Sequence, residues 1–524
     1  MRFLTFSTVC LLIAILAAQE SFGQIIPGQV SSPYRSIYQN SVSNMAALSD
    51  TIWIGPSMTY NIANDTDWYL PEQADSVVKG RGRLFSIALA PDTVVAGIGY
   101  NDIQGDESIQ TQMGLYISVD GGKGKDSQWE FIDTSRTLDH PDDHSVRYGG
   151  QDLETVPVIV PQQSPPYMVD FRGDVIFFAG WASGIRRSIN FGQSWERIVL
   201  PPFELDELVP EGNYNFVIDP RGDGQTNNYL NFLGFSVLIG SDGTVYAGTA
   251  GGLNISKNAL QAPADSIRWR HIRRTTAPDG LLGNWVTNLR ENPYDKSVWL
   301  TNWTAISGED REGIVVTRDG GDTFEQHLAG ERLYDIGFNG ETIYAVGNSG
   351  VFISRDNGIT WNLTSQIRSM NTFMKPNATY YTVATANDRV WIGSSDGLAS
   401  STDDGESWNI TRVDFPLSGG NQHQPDAPDV DIYAYPNPFS PRRHELVRIK
   451  FNNEKQADIT IRLFDFGMNL IRELDEFQQL GPGTYEAVWD GTDQQGRKVA
   501  NGMVFYEVQT NENGRTVGKI LLLE

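Results

Sequence analysis

The sequence predicts an all-β protein built from many short strands. Its 524 residues include 52 Gly together with 13 Trp, 20 Tyr and 24 Phe, a mixture of turn-forming and strand-forming residues. One short apolar strand recurs along the chain, which indicates a repeat architecture. Because 40% of the residues are hydrophobic and 20% are charged, the chain can bury a large core, and this composition excludes disorder as its main state.

The charge balance argues against two classes of partner. There are 40 basic and 65 acidic residues, which give a formal net charge of -25. Such a chain repels a phosphate backbone and an anionic membrane surface. We therefore expect no nucleic-acid partner.

The amino terminus has the pattern of an export signal. Arg2 precedes an apolar run from Leu11 to Ala18, and small residues flank Phe22 at a cleavage site after Gly23. The sequence predicts a signal peptide over residues 1–23. We expect no transmembrane segment, because the run is far shorter than the roughly 20 residues that a bilayer requires. Cleavage would remove Cys10, the one cysteine, so packing alone is expected to stabilise the exported chain.

The strand repeat sets the expected number of sheets. Seven copies are present, at residues 51–55, 93–97, 175–180, 244–248, 297–301, 342–347 and 389–393. Six of them are followed by a Gly that opens the next strand, and then by a turn and an aromatic residue. The shortest interval between these aromatic ends, from Phe324 to Trp361, is 37 residues, which is enough for four short strands. The pattern therefore predicts seven four-stranded sheets.

The turn of the repeat resembles a known hairpin. Ser354-Arg-Asp356-Asn-Gly358-Ile-Thr360-Trp361 is similar to the Asp-box, or BNR repeat, of sialidase-type β-propellers. Five copies pair an Asp or Asn with an aromatic residue: Asp120 with Trp129, Asn190 with Trp195, Asp319 with Phe324, Asp356 with Trp361, and Asp403 with Trp408. A sixth copy, from Ser256 to Trp269, lacks the acid. The resemblance implies a seven-bladed β-propeller over residues 24–416.

The chemistry of this hairpin predicts a structural role for its acids. The Asp or Asn can accept hydrogen bonds from N–H groups of the turn, the Gly can adopt positive φ, and the aromatic side chain can pack inward. In the family, these turns lie on the face away from the ligand site. We therefore assign none of these acids to catalysis.

The carboxy-terminal part has a different pattern. Residues 417–430 are polar and contain proline, which predicts a linker, and residues 431–524 show short alternating strands typical of a small β-sandwich. Tyr435-Pro-Asn-Pro-Phe439 and Trp489-Asp-Gly-Thr-Asp493 resemble the FlgD-type immunoglobulin-like domain and the C-terminal sorting domain of the type IX secretion system. This resemblance implies the type IX secretion machinery as a partner and a secreted or outer-membrane surface location. The alternative is a retained spacer or adhesion module.

The expected ligand site lies opposite the Asp-box turns. Five long connections are predicted on that face, at residues 99–113, 134–166, 201–229, 275–285 and 302–312. Trp181 and Trp303 follow two of the repeated strands, and they are candidates for stacking on a sugar or a peptide. The sequence thus predicts an exported, monomeric β-propeller that binds a glycan or protein ligand. No metal site, cofactor or catalytic residue is assigned.

Two other functions fit the same architecture. A glycoside hydrolase would need two carboxylates, about 5–5.5 Å apart if retaining and 6.5–9.5 Å if inverting. The candidate acids in the long connections are Asp102, Asp106, Glu107, Asp142, Asp143, Glu154, Glu309 and Asp310. The other alternative is an assembly scaffold similar to the photosystem II stability-factor propellers.

Overall fold

The computed structural model describes residues 37, 39–62, 68–71, 82–105, 107–124, 126–222, 226–275, 279–304, 310–413, 432–511 and 514–524. The expected signal peptide (1–23) and linker (417–430) lie outside these residues. Helix is nearly absent from the described chain: the two α-helices, α1 (Thr134–Thr137) and α2 (Pro441–His444), have four residues each, and 3-10 turns occur at Asn228–Phe232 and Ala264–Ser266. In the described chain no helix has the length and apolar character needed to cross a bilayer.

Seven small antiparallel sheets follow one another over the described part of residues 44–411. Sheet 1 contains β1 (Asn44–Leu48), β2 (Thr51–Gly55), β3 (Thr59–Ile62) and β4 (Trp68–Tyr69). Sheet 2 contains β5 (Arg83–Ala90), β6 (Thr93–Gln104), β7 (Glu107–Ser118) and β8 (Glu130–Asp133). A separate hairpin follows, with β9 (Ser145–Tyr148) and β10 (Gln151–Glu154). Sheet 3 contains β11 (Met168–Arg172), β12 (Val175–Gly180), β13 (Gly184–Ser188) and β14 (Glu196–Arg197).

The remaining four sheets have the same sequential order. Sheet 4 contains β16 (Gly234–Ile239), β17 (Val245–Thr249), β18 (Leu253–Ser256) and β19 (Trp269–Ile272), with β15 (Glu207–Leu208) on its outer edge. Sheet 5 contains β20 (Trp285–Glu291), β21 (Val298–Trp303), β22 (Gly313–Thr317) and β23 (Glu325–His327). Sheet 6 contains β24 (Leu333–Asn339), β25 (Thr342–Gly347), β26 (Val351–Ser354) and β27 (Asn362–Thr364). Sheet 7 contains β28 (Tyr380–Ala386), β29 (Arg389–Ser394), β30 (Gly397–Ser401) and β31 (Asn409–Thr411).

The first strands of these sheets surround a common axis. β1 contacts β5, β5 contacts β11, and the series continues through β16, β20, β24 and β28, which contacts β1 again. Apolar side chains fill the space between adjacent sheets; Trp53 of sheet 1 and Val94 of sheet 2, for example, belong to one buried cluster. Each sheet therefore buries its faces against two neighbours. The all-β architecture that the sequence predicts is confirmed.

Polar side chains on the first strands link each sheet to the next. Six junctions have such a hydrogen bond, and the seventh has a main-chain bond from Val42 N–H to the Ser394 carbonyl. In four junctions the side chain donates to a carbonyl: Asn44 to Leu84 (2.7 Å), Ser86 to Pro166 (2.6 Å), Ser236 to Val286 (3.0 Å) and Asn288 to Tyr334 (2.9 Å). In the other two a carboxylate accepts from a main-chain N–H: Asp170 from Ile239 (2.7 Å) and Asp335 from Val383 (3.1 Å). We call these hydrogen bonds the inter-sheet links. They satisfy buried polar groups that the sheets alone leave unpaired.

The inter-sheet links explain the Gly that ends the repeated strand. Ser86 lies opposite Gly97 in the strand pairing, and Ser236 lies opposite Gly248. A Cβ atom at Gly97 would lie 2.5 Å from the Ser86 Oγ, and one at Gly248 would lie 2.2 Å from the Ser236 Oγ. Glycine is therefore required there because the linking side chain occupies the space of a Cβ.

The described part of residues 432–524 forms two further sheets. One contains β32 (Ile432–Tyr435), β33 (Val447–Asn453) and β36 (Gly483–Trp489), and the other contains β34 (Ala457–Phe464), β35 (Leu470–Leu480), β37 (Gly502–Thr510) and β38 (Gly514–Leu522). Ile449, Trp489, Tyr506 and Ile520 contribute to one buried apolar cluster that both sheets share. We call this region the C-terminal domain.

Three of the predicted loops contain strands: β9 and β10 lie within residues 134–166, β15 lies within residues 201–229, and residues 99–113 are mostly paired. Residues 99–113 continue β6 and β7 as a paired ribbon that turns between Gln104 and Glu107. The register shifts between Ile98 and Gly99, which adjusts the pairing where the ribbon leaves the sheet. The exposed ribbon has few apolar residues, so its strand pattern is not visible as an alternation in the sequence.

We predict that Gly248→Ala destabilises the protein by about 1–3 kcal/mol, because the added methyl group overpacks the space held by Ser236 and the Val286 carbonyl. The free energy of unfolding, measured by urea titration, tests this. Gly481→Ala is the matched control, since a Cβ at Gly481 meets no atom within 4 Å. Equal stability of the two variants would contradict the explanation.

Candidate functional site

A cavity of about 400 Å³ lies on the axis at one end of the ring of sheets. Every one of the seven sheets contributes to its wall. One lining residue from each is, in order, Asn44, Ser86, Val169, Phe235, Asn288, Asp335 and Thr382. The first strands start at this end and the second strands finish there, so the cavity lies opposite the turns that join third and fourth strands.

A β-bulge places one side chain at the mouth of the cavity in five of the sheets. In each case the first strand carries one extra residue, which interrupts the pairing with the second strand. The extra residues are Phe85, Phe235, Thr287, Tyr334 and Tyr381, and all five line the cavity. Tyr167, which directly precedes β11, occupies the corresponding place in sheet 3. The bulge thus turns the side chain toward the axis, and in four of the five sheets the next residue makes the inter-sheet link.

Eight half-buried aromatic residues form a continuous arc around this mouth. We call them the aromatic rim: Phe85, Tyr167, Trp181, Phe235, Trp285, Trp303, Tyr334 and Tyr381. Ring centroids along the arc are 6.2 Å apart for Phe85 and Tyr167, 6.5 Å for Tyr167 and Phe235, 5.2 Å for Phe235 and Trp285, 5.3 Å for Trp303 and Tyr334, and 5.7 Å for Tyr334 and Tyr381. Trp285 and Trp303 face each other across the β20–β21 pairing, which joins the two halves of the arc.

Both tryptophans predicted as ligand contacts belong to the rim. The Trp181 ring lies 5.0 Å from Phe235 and 5.6 Å from Trp285. Trp303 lines the cavity, donates from Nε1 to the Leu333 carbonyl at 2.7 Å, and has the Arg332 guanidinium 4.2 Å from its ring centroid. The structure therefore places the two tryptophans on one surface, separated by Trp285.

The charged groups of the cavity wall neutralise each other. Asp335 is buried and its Oδ1 accepts from Arg290 Nε at 2.9 Å and from Asn288 Nδ2 at 3.0 Å. Nearby, burial raises the pKa of Tyr167 to about 12, so its hydroxyl stays protonated and donates to Gln110 Oε1 at 2.7 Å. The described wall thus presents aromatic rings, hydroxyls and amides around a single ion pair.

The acids predicted for hydrolysis do not gather at this cavity. Asp106 and Glu309 lie outside the described residues. Asp102 and Glu107 lie on the ribbon of β6 and β7, and Glu154 lies on β10. Among the described residues that line the cavity, Asp335 is the one carboxylate. Among all the residues that the structure describes, no group of three His, Cys, Asp or Glu side chains is arranged to hold a metal ion.

The predicted Asp-box residues all lie in turns at the other end of the sheets. Asp319 is representative: its Oδ1 accepts from Thr323 N–H at 2.9 Å and its Oδ2 accepts from the Thr323 hydroxyl at 2.6 Å. The same pair of bonds joins Asp356 to Thr360 and Asp403 to Ser407. Asp120 accepts instead from Gln128 N–H at 2.8 Å and from Ser118 and Ser127 hydroxyls at 2.6 and 3.0 Å. Each of these carboxylates therefore accepts hydrogen bonds from N–H and hydroxyl groups of its own turn.

Asparagine makes the equivalent contacts in two of the turns. Asn190 Oδ1 accepts from Ser194 N–H at 2.9 Å, and its Nδ2 donates to the Ser194 hydroxyl at 2.8 Å. In the copy that lacks the acid, Asn258 Oδ1 accepts from Arg268 N–H at 2.9 Å and from the Ser256 hydroxyl at 3.0 Å. Sequence reasoning missed Asn258, although the spacing from Ser256 matches the other copies.

The aromatic residues of these turns pack against the preceding sheet. Trp129 of sheet 2 lies 6.0 Å from Trp53 of sheet 1, and Trp361 of sheet 6 lies 6.5 Å from Trp299 of sheet 5. Trp408 shares a buried cluster with Tyr344, Phe324 shares one with Tyr246, and Trp195 packs on the cluster around Ile117.

Sequence reasoning missed six of the eight rim residues. Their pattern is nevertheless present in the sequence: an aromatic residue, one intervening residue and a β-branched residue occur in Phe85-Ser-Ile87, Tyr167-Met-Val169, Phe235-Ser-Val237, Tyr334-Asp-Ile336 and Tyr381-Thr-Val383. Alignment of the first strands, in addition to the second, would have found it.

One family model matches a segment of the chain. The model of the BNR/Asp-box repeat family matches residues 352–363, which include the turn of Asp356 and Trp361. No curated protein sequence matches the chain.

Similar solved structures include several propellers. PorZ of Porphyromonas gingivalis, an essential bacterial surface component of the type-IX secretion system, is 13% identical with a TM-score of 0.42; the match covers 92% of this chain and 65% of PorZ, so the chain spans just under two thirds of PorZ. YCF48 from Cyanidioschyzon merolae is 15% identical with a TM-score of 0.40, over 70% of this chain and 96% of YCF48. The WD40 beta propeller domain of Doa1 is 13% identical with a TM-score of 0.38, over 71% of this chain and 95% of that domain.

We predict that the Asp319 turn stabilises the protein in a pH-dependent way. Hydrogen bonds from the hydroxyl and N–H of Thr323 lower the pKa of Asp319 to about 2. Because the folded pKa is below the ordinary value near 4, this stabilisation is present above pH 4 and is lost as the pH falls toward 2. Midpoints of urea unfolding at pH 7 and pH 3 measure the loss.

Asp319→Asn and Asp319→Ala separate the charge from the hydrogen bonds. We expect the Asn variant to keep most of the stability at pH 7, because Asn190 makes the equivalent hydrogen bonds in sheet 3. On acidification it should lose less stability than the unsubstituted protein. The Ala variant should be less stable at both pH values. If the two variants unfold alike at pH 7, the hydrogen bonds of the turn do not matter.

Proposed function

We propose that this chain is an exported, seven-bladed β-propeller that binds a glycan or protein ligand at the aromatic rim. In this proposal the seven sheets are the blades, residues 24–416 form the propeller, and the ligand sits over the axial cavity on the face opposite the Asp-box turns. The protein acts as a monomer and uses no cofactor.

The observation that carries the proposal is the aromatic rim. Its eight half-buried rings form an arc at the mouth of a cavity of about 400 Å³, and six of them line the cavity. This volume is within the size range of small-molecule and sugar sites. The rings in the sheet interiors, such as Trp53 and Trp299, are by contrast fully buried. Aromatic side chains with one exposed side are suited to stacking on the apolar face of a sugar or on a peptide side chain.

The wall of the cavity favours binding over hydrolysis. Glycoside hydrolysis requires an acid and a second carboxylate on either side of the scissile bond. The one carboxylate of the described wall, Asp335, accepts hydrogen bonds from Arg290, Asn288, Thr382 and two main-chain N–H groups. Such a carboxylate is committed to holding the ring together. An ion pair that is already closed also favours an uncharged ligand.

The proposal extends to export. Residues 1–23 act as a signal peptide, residues 417–430 as a linker, and residues 431–524 as an immunoglobulin-like domain that the type IX secretion machinery recognises. The protein then reaches the outer-membrane surface or the medium. The sequence motifs around Tyr435 and Trp489 support this part.

Substitution of rim residues tests the ligand site. We expect Trp303→Ala and Tyr381→Ala each to weaken binding about tenfold or more, because each removes a stacking surface. Phe466→Ala is the control, since Phe466 is an aromatic residue 80% exposed on the C-terminal domain. The measurement is a screen on arrayed glycans and neutral polysaccharides, followed by calorimetry with the best probe.

Two results would overturn the ligand proposal. One is release of reducing sugar from a polysaccharide, which would make the chain a hydrolase. The other is a probe whose affinity is lowered equally by the rim variants and by Phe466→Ala.

A reporter fusion tests the export proposal separately. We expect a periplasmic reporter carrying residues 431–524 at its carboxy terminus to reach the cell surface in a bacterium with a type IX system, and to stay in the periplasm of a strain that lacks the system. Retention in both strains would exclude the sorting role. Cell fractionation and surface labelling give the measurement.

A further inference from the structure

The C-terminal domain contacts sheet 7 through a buried group of four charged side chains. Asp396 and Arg412 belong to the propeller side, and Arg448 and Glu486 belong to the C-terminal domain. Their side chains are 15%, 5%, 4% and 11% exposed, respectively. Arg448 Nη2 donates to Asp396 Oδ2 at 2.7 Å, and Arg412 Nη1 lies 3.4 Å from Glu486 Oε2. Both pairs cross the interface, and we call the four residues the charge network.

Neutral groups complete the hydrogen bonding of this network. The Thr372 hydroxyl donates to Glu486 Oε2 at 2.6 Å, and the Phe373 carbonyl accepts from both Arg412 and Arg448 at 2.8 Å. The Tyr435 hydroxyl donates to Glu486 Oε1. Each charged group therefore has partners on both sides of the interface.

Burial of four charges in this interface costs desolvation free energy. Removing an ion from water costs several kcal/mol, which is recovered only where the geometry and the hydrogen bonds are nearly complete. Burial alone would raise the pKa of Asp396 and of Glu486, but Arg412 and Arg448 outweigh it and hold both pKa values below their ordinary range. Both carboxylates are thus charged at neutral pH. Such an arrangement fits one orientation of the two parts and disfavours loose association.

The interface lies at the rim end of sheet 7. Thr372 and Phe373 precede β28, Asp396 lies between β29 and β30, and Arg412 follows β31. The C-terminal domain therefore stands at the edge of the face that carries the aromatic rim, on the side of Tyr381. A domain that only directed export and was then removed would gain nothing from a buried network of this kind.

We propose that the C-terminal domain remains docked on sheet 7 in the mature protein and forms a fixed side wall of the rim face. Export and processing then leave residues 432–524 on the chain. The inference does not depend on the identity of the ligand, because docking is measured without it.

A cleavable full-length chain tests the docking. A recognition site for a specific protease is placed within residues 417–430, the chain is cut, and the product is examined by gel filtration at micromolar concentration. We expect the two parts to elute together. Arg448→Met should weaken their association on the order of a hundredfold, since it removes one member of a buried ion pair. If the two parts of the chain without substitutions separate after cleavage, the proposal is overturned.

Matched variants separate the network from general effects. Arg443→Met is the control, because Arg443 is an exposed arginine on the same domain near the interface, and we expect its cut chain to stay associated. Asp396→Asn is a milder change that keeps the side-chain size. It replaces Arg448→Met as the test of the charge network if that variant does not fold. Equal association of Arg443→Met and both network variants would count against the network as the cause of docking.

Retention is measured on the exported protein itself. Intact-mass spectrometry of the protein recovered from the surface or medium should give a chain that includes residues 432–524. A mass that ends near residue 431 would overturn retention. Failure of the reporter fusion would instead affect only the sorting role, so the two results are distinguishable.

Discussion

The structure depends on hydrogen bonds that pass from each sheet to the next around the axis. A single four-stranded sheet cannot bury both of its faces, so its stability comes from its neighbours. The inter-sheet links make this dependence specific, because a serine or asparagine on one first strand donates to the main chain of the next. Their small size and the glycines opposite them allow the first strands to approach closely. The axial cavity is what remains between these strands at one end.

The sequence predicts the sheets well because the second strand and the Asp-box turn recur in the same order along the chain. The role of the terminal glycine was not predictable from this repeat, since the side chain that requires it lies on another strand. The rim was largely missed for a related reason. A bulge adds one residue to the first strand and shifts its alternation, so Phe85 or Tyr334 does not stand out from a buried core residue in the sequence. Trp181 and Trp303 were found because they follow the regular second strands.

Long-range contacts set the limit of the sequence analysis. Arg448 and Asp396 are 52 positions apart, and Thr372 and Glu486 are 114 positions apart. Each residue alone has the appearance of an ordinary surface charge or hydroxyl. Their burial follows from the way in which the C-terminal domain meets sheet 7, and no local pattern encodes that arrangement. The Asp-box turns are the opposite case, because the hydrogen-bond partners of their Asp and Asn side chains lie within ten residues.

The bulges have a consequence for how such a protein can change. The side chains at the mouth project from strands whose register is fixed by the surrounding hydrogen bonds, and the connections between strands do not hold them in place. A substitution at a bulged position, such as Thr287, alters the contact surface and leaves the neighbouring positions where they are. Recognition can therefore diversify one position at a time on a constant frame, while the connecting segments vary in length without moving the others.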